Sequence, residues 1–110
     1  MPYDPGLAAR LADLLSGRAG FQQRKMFGGI GWLLNGNMCV GVYKDWLITR
    51  VGEAKAQDIF HEPHVKPMDI TGRPMKGWAM VAADGVERDA DLSRHVGLAI
   101  AFVRTLPTKG

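Results

Sequence analysis

The dipeptide Asn35-Gly36, set between Trp32-Leu33-Leu34 and Met38-Cys39-Val40, constrains this chain more than any other feature. A two-residue type I′ turn needs positive φ at both central positions, and Asn-Gly is the pair that tolerates it best, so the flanking runs are expected to pair as a hairpin. Lys44-Asp45, between VGVY and WLIT, reads as a second tight connection. Three consecutive antiparallel strands result, preceded by a fourth over Phe21 to Met26.

Helical signals bracket this region. Asp4 is placed as an N-cap with Pro5 in the first helical position, where the missing N–H costs nothing. Leu7, Leu11, Leu14 and Leu15 then recur on one helical face, and Gly17 is a left-handed stop. Glu53 to Phe60 reads as a short helix burying Ala54, Ile59 and Phe60. His61 to Lys76 carries three prolines and no period, so it is read as loop with a short strand near Met68 to Ile70. Gly77 to Ala83 reads as the last strand. A C-terminal helix, capped by Asp89 or Asp91, aligns Leu92, Val96, Ala99, Ile100 and Val103 and stops at Pro107. Together these predict an α+β fold: a two-layer structure with an antiparallel sheet of about five strands flanked by N- and C-terminal helices. At 110 residues the chain is expected to be one domain, 1–110.

Gly28, Gly29 and Gly31 follow two basic residues, which invites comparison with a phosphate loop. Such a loop leads into Lys-Ser/Thr and a helix N-terminus, whereas these glycines lead into Trp32-Leu33-Leu34 and a hairpin. Gly28-Gly29 is therefore read as the turn between the first two strands. Gly31 is read as a strand glycine that admits a bulge or the close approach of another backbone.

With both hairpin loops two residues long, the period of two puts Leu33, Met38, Val40, Val42, Leu47, Thr49 and Val51 on one face. Ile30, Trp32, Leu34, Cys39, Gly41, Tyr43, Trp46, Ile48 and Arg50 fall on the other. Both faces are apolar, and three short helices suffice for one. The second is the expected interface, with Ile30, Trp32, Tyr43, Trp46 and Ile48 as its candidate residues and a second copy of the chain (a homodimer) or another protein as partner.

Hydrophobic residues make up 46% of the chain and charged ones 23%, a globular composition, and no run approaches the roughly 18 apolar residues of a membrane span. MPYDPG has neither a basic n-region nor an apolar run, and the lone Cys39 cannot form an internal disulfide, so a cytoplasmic protein without signal peptide is expected. The formal charge is +3, with Arg18, Arg24, Lys25 and Lys44 the only charged residues between Leu14 and Lys44. With Arg50 they are the candidate nucleic-acid contacts, beside Tyr43 and Trp46 for stacking. Arg24 and Lys25 are adjacent, however, and in a strand they point to opposite faces.

Catalytic constellations are thin. Ser16, Ser93 and Cys39 have no local base, and Asp89 with Asp91 suits the helix dipole, so no enzyme activity and no catalytic residues are expected. His61-Glu62-Pro63-His64 offers two imidazoles, but Pro63 opposes the turn that would converge them; no metal and no cofactor are expected. His95 is read as a surface or boundary residue of the last helix.

The stretch RKMFGGIGWLLNGNM resembles the N-terminal domain of the TfoX/Sxy family, as do GRPMKGWAMV at Gly72 to Val81 and AFVRTLP at Ala101 to Pro107. Arg24, Lys25, Met26, Phe27, Gly28 and Gly29 match its signature. The resemblance implies an antiparallel sheet flanked by helices in a secretion-chaperone-like architecture whose members often dimerise. It also implies a regulatory role without known catalytic residues, the founding members being regulators of natural competence that act with a cyclic-AMP receptor protein. Those members carry a second, helical domain with no counterpart in these 110 residues.

Overall fold

A computed structural model describes residues 3–26, 28–70 and 72–109. Helix α1 spans Pro5–Leu15, and β1 (Phe21–Met26), β2 (Gly29–Leu34), β3 (Asn37–Tyr43) and β4 (Trp46–Arg50) follow. Then come α2 (Glu53–Ile59), β5 (Val65–Pro67), β6 (Trp78–Val81), a 3-10 turn at Ala83–Val86 and α3 (Asp89–Val103). One six-stranded antiparallel sheet has the order β1-β2-β3-β4-β6-β5. The strand expected near Met68 lies earlier, at Val65–Pro67, where the residues pair with β6.

Both hairpin turns form as read. Asn35 and Gly36 take φ of 53° and 84°, and Lys44 takes 55°. Asp4 caps α1, its Oδ1 accepting from the Gly6 N–H at 2.8 Å. The cap of α3 differs from expectation. Arg88 occupies that position, and Asp89 and Asp91 lie in the first turn, where their charge meets the positive end of the helix dipole. In α2 the buried side is Ala56 and Ile59, with Ala54 exposed.

One residue changes the face assignment. Trp32 pairs with Val40 but Leu33 pairs with Met38, which leaves Cys39 as an extra residue in β3, a β-bulge. A one-residue slip reverses every side chain beyond it. Val40 and Val42 therefore share a face with Ile30, Trp32 and Leu34, contrary to the regular register. That face continues through Leu47 and Val81 and packs against Leu7, Leu11 and Leu15 of α1, Ile59 of α2, and Leu92, Val96, Ala99 and Val103 of α3. All three helices cover it. The opposite face carries Gly31, Gly41, Ile48 and Met80 in one cross-strand row, and it is not covered by a helix.

Among the described residues no helix is long and apolar enough to cross a membrane.

Candidate functional site

The uncovered face is built around missing side chains. Gly31 and Gly41 pair directly across β2 and β3, and Met38, two strand positions away, folds over both. A Cβ on Gly31 would lie 2.5 Å from Met38 Cε, and one on Gly41 would lie 2.9 Å from the same carbon and 2.8 Å from the Ile30 carbonyl oxygen. The close neighbour of Gly31 is thus a side chain, Met38, rather than the other backbone expected.

Above this floor runs the segment between β5 and β6. The Met75 N–H donates to the Met68 carbonyl at 2.9 Å, which ties the two ends of a flap together. A cavity of about 250 Å³ lies under this flap, with Met38 rather than Gly31 or Gly41 on its inner side. Its side-chain walls include Met38, Tyr43, Ile48, Met68, Ile70, Met75 and Trp78, with Gly29 also on the lining; none of these is charged. Methionine thioethers are deformable and polarisable, so such walls reshape around varied apolar groups. Met75, 36% exposed, stands at the mouth.

Cations surround the cavity. Arg50 pairs across strands with Trp78 and holds its guanidinium carbon 5.5 Å from the ring centroid. Lys66 Nζ sits 4.8 Å from the Trp46 centroid, and Lys44 Nζ 5.5 Å from that of Tyr43. Each pair gains from the attraction between a cation and the ring face. By register, Arg24 opposite Gly31 belongs to this face too.

Of the candidate interface residues, Tyr43 and Trp46 lie half-buried on the uncovered face, and Ile48 lines the cavity. Ile30 and Trp32 go to the other side: they are 4% and 5% exposed within the helix-packed core. The cause is the bulge at Cys39. Of the candidate nucleic-acid contacts, Arg24 and Arg50 share the uncovered face. Lys25 is on the opposite parity of β1, Lys44 is in a turn, and Arg18 follows α1, donating to the Leu14 carbonyl. In the signature stretch Gly28 takes φ of 76° and Gly29 starts β2 opposite Met26. Phe27 and the side chain of Met26 lie outside the described residues. β2 rather than a helix follows, but Gly29 already belongs to that strand, so of the pair read as the turn only Gly28 lies between the strands.

Met68, Ile70, Met75, Trp78 and Lys66 were missed as site residues. Their segment has no period, so no pattern marks which of its apolar side chains turn inward. The only signal is the density of large apolar residues in a proline-rich loop.

The catalytic candidates stay apart. Cys39 is fully buried, and desolvation pushes its thiol up to about 12 against the pull of Arg50, so it is not a thiolate at neutral pH. His61 and His64 are exposed, and Glu62 between them is bound by Arg94 through two hydrogen bonds of 2.7 and 3.1 Å. That hydrogen bonding holds the Glu62 carboxyl below its usual range. Among the described residues no group of three His, Cys, Asp or Glu side chains is placed to hold a metal.

His95 corrects its sequence reading: it is 1% exposed, packed under α3. Arg94 can only donate, so its Nη2, 3.3 Å from Nε2, makes that nitrogen the acceptor and puts the proton on Nδ1. Nδ1 finds no partner among the described residues. Burial, reinforced by the Arg94 charge, lowers the His95 pKa from its ordinary value, while Glu62 and Asp91 oppose the shift. The unfolded chain therefore binds the proton more readily than the folded one. Stability should be complete above about pH 6.5 and fall as pH drops from there toward the depressed folded value. Urea midpoints measured at pH 7.5 and 5.5 should show this loss, and His95→Gln should reduce it; an equal loss in the variant would assign the effect elsewhere.

A model of the TfoX N-terminal domain family matches residues 13–103 of the chain. No curated protein and no solved structure matches it. The matched span runs from the end of α1 to the last residue of α3 and contains the whole sheet, the flap and the glycine floor.

Proposed function

The chain belongs to the TfoX N-terminal domain family, and from that premise we propose that it is a non-catalytic regulatory module of the cytoplasm that docks a protein partner on its uncovered sheet face. The observation that carries this reading is the separation of the two faces. One is sealed by three helices, while the other exposes Met75, half-exposes Tyr43, Trp46 and Trp78, and has only the flap above it. Aromatic side chains at such positions supply much of the anchoring at protein interfaces.

Charge selects between the two expected partners. Arg24, Arg50 and Lys66 share the register of this face, and among the described residues only Lys66 of the three is near a carboxylate, Asp69 at 3.8 Å. Two copies packed face to face would bring these cations together, so a different protein with an acidic rim around an apolar centre is favoured over a homodimer. Nucleic acid is the weaker reading. Lysine and arginine already cover the rings of Trp46, Trp78 and Tyr43, where bases would need to stack, and Arg18 and Lys25 lie away from the face.

A photo-crosslinking residue at Trp46, compared with one at the exposed Ala101 on α3, tests the reading in the native cell. A discrete protein adduct is expected from position 46, absent from position 101, and lost with Arg50→Glu. Adducts to nucleic acid, or the same adducts from both positions, would overturn it.

A further inference from the structure

We propose that the methionine-walled cavity under the flap is a binding site for a small aromatic carboxylate, with its rings between Met38 and the flap methionines and its carboxylate against Arg50. This goes beyond the docking of a protein and does not depend on it. Four observations converge. A dry engineered cavity of about 150 Å³ holds benzene, and this one, at about 250 Å³, has room for a fused two-ring system. Its inner side is the Met38 thioether, which lies over Gly31 and Gly41 and gives a ring a deformable apolar surface. The walls are sulfur and aromatic: thioethers favour ring edges, and Trp78 offers an aromatic neighbour.

The fourth observation is the charge. Arg50 holds its guanidinium over Trp78, which is itself a wall of the cavity, and it is half-buried. Among the described residues it forms no ion pair. A planar guanidinium beside an apolar cavity matches a carboxylate attached to an apolar body, since the fork binds both oxygens. An anionic amphiphile without rings would leave the thioether–ring contacts unused.

Isothermal titration of the full chain with 2-naphthoate, and with its neutral counterpart 2-naphthamide, tests the assignment. Saturable binding of one naphthoate per chain is expected, about tenfold tighter than naphthamide for one charge-assisted contact. Arg50→Met should remove that preference and leave naphthamide unchanged. Met75→Trp, which narrows the mouth from the flap, should weaken both ligands by about tenfold or more. The preference of the unaltered protein reads the charge contact even if a variant fails to fold. No saturable binding at millimolar ligand would overturn the proposal. So would equal affinity for the two compounds, or unchanged binding in a folded Met75→Trp protein.

Discussion

Leu47→Ala is expected to lower the unfolding free energy by about 3 kcal/mol, within the 2–5 kcal/mol span of buried leucine truncations. For a domain of this size that corresponds to a fall in Tm of ~15 °C. Leu47 is fully buried at the centre of the sheet, opposite Val42 on β3 and Val81 on β6, and it belongs to the cluster that joins the strands to all three helices. Because neighbours on both strands are held in a hydrogen-bonded ladder and the helices are tied at several points, the space left cannot collapse fully. The cost is then the lost transfer energy plus the cavity term. Differential scanning calorimetry on the variant measures it; a change below about 1 kcal/mol would mean that the sheet face assigned to the core is wrong.

Gly52→Ala should be of similar severity for a different reason. Gly52 adopts φ 87° and ψ 157°, a region available essentially to glycine alone, and strain of this kind costs about 1–3 kcal/mol. An added Cβ would also lie 2.7 Å from two carbons of the Phe102 ring. The position has no freedom to relax. The Val51 and Gly52 N–H groups both donate to the Gly77 carbonyl, at 2.9 and 3.0 Å, so this corner fixes β4, α2 and the start of β6 together. The combined loss is expected to be about 3 kcal/mol in urea unfolding. Gly97→Ala in α3 is the contrast: nothing lies within 4 Å of its Cβ, and helix propensity alone should raise stability by about 0.5–1 kcal/mol. If the two glycine variants behaved alike, the backbone conformation at Gly52 would not be the determinant.

Much of this fold is legible in the sequence because its signals are local. Asn35-Gly36 and Lys44-Asp45 dictate tight turns by the φ values they permit, and Asp4-Pro5 starts α1 by capping chemistry. These need no tertiary context. The bulge at Cys39 is legible only in three dimensions. No side chain in Met38-Cys39-Val40 demands an extra residue; the demand comes from the helices, which need Val40 and Val42 on the same side as Trp32 and Ile30. A strict period of two therefore mixes the faces, and it sends Trp32 to the surface when it belongs to the core. His95 escapes the sequence for a related reason, since Glu62 meets it, and burial encloses it, only after α3 docks. The cavity has the faintest trace. Its inner wall, Met38, is placed only by the bulge, and its roof comes from a loop without periodicity.

The account turns on which side of the sheet is open. Hydroxyl-radical footprinting of the native protein, read residue by residue by mass spectrometry, addresses that directly through the three tryptophans and the flap methionine. Trp46, Trp78 and Met75 should be oxidised readily, and Trp32 should stay protected until the chain is unfolded. Oxidation of Trp32 as fast as Trp46 in the folded protein would contradict the face assignment, and with it both the docking surface and the cavity.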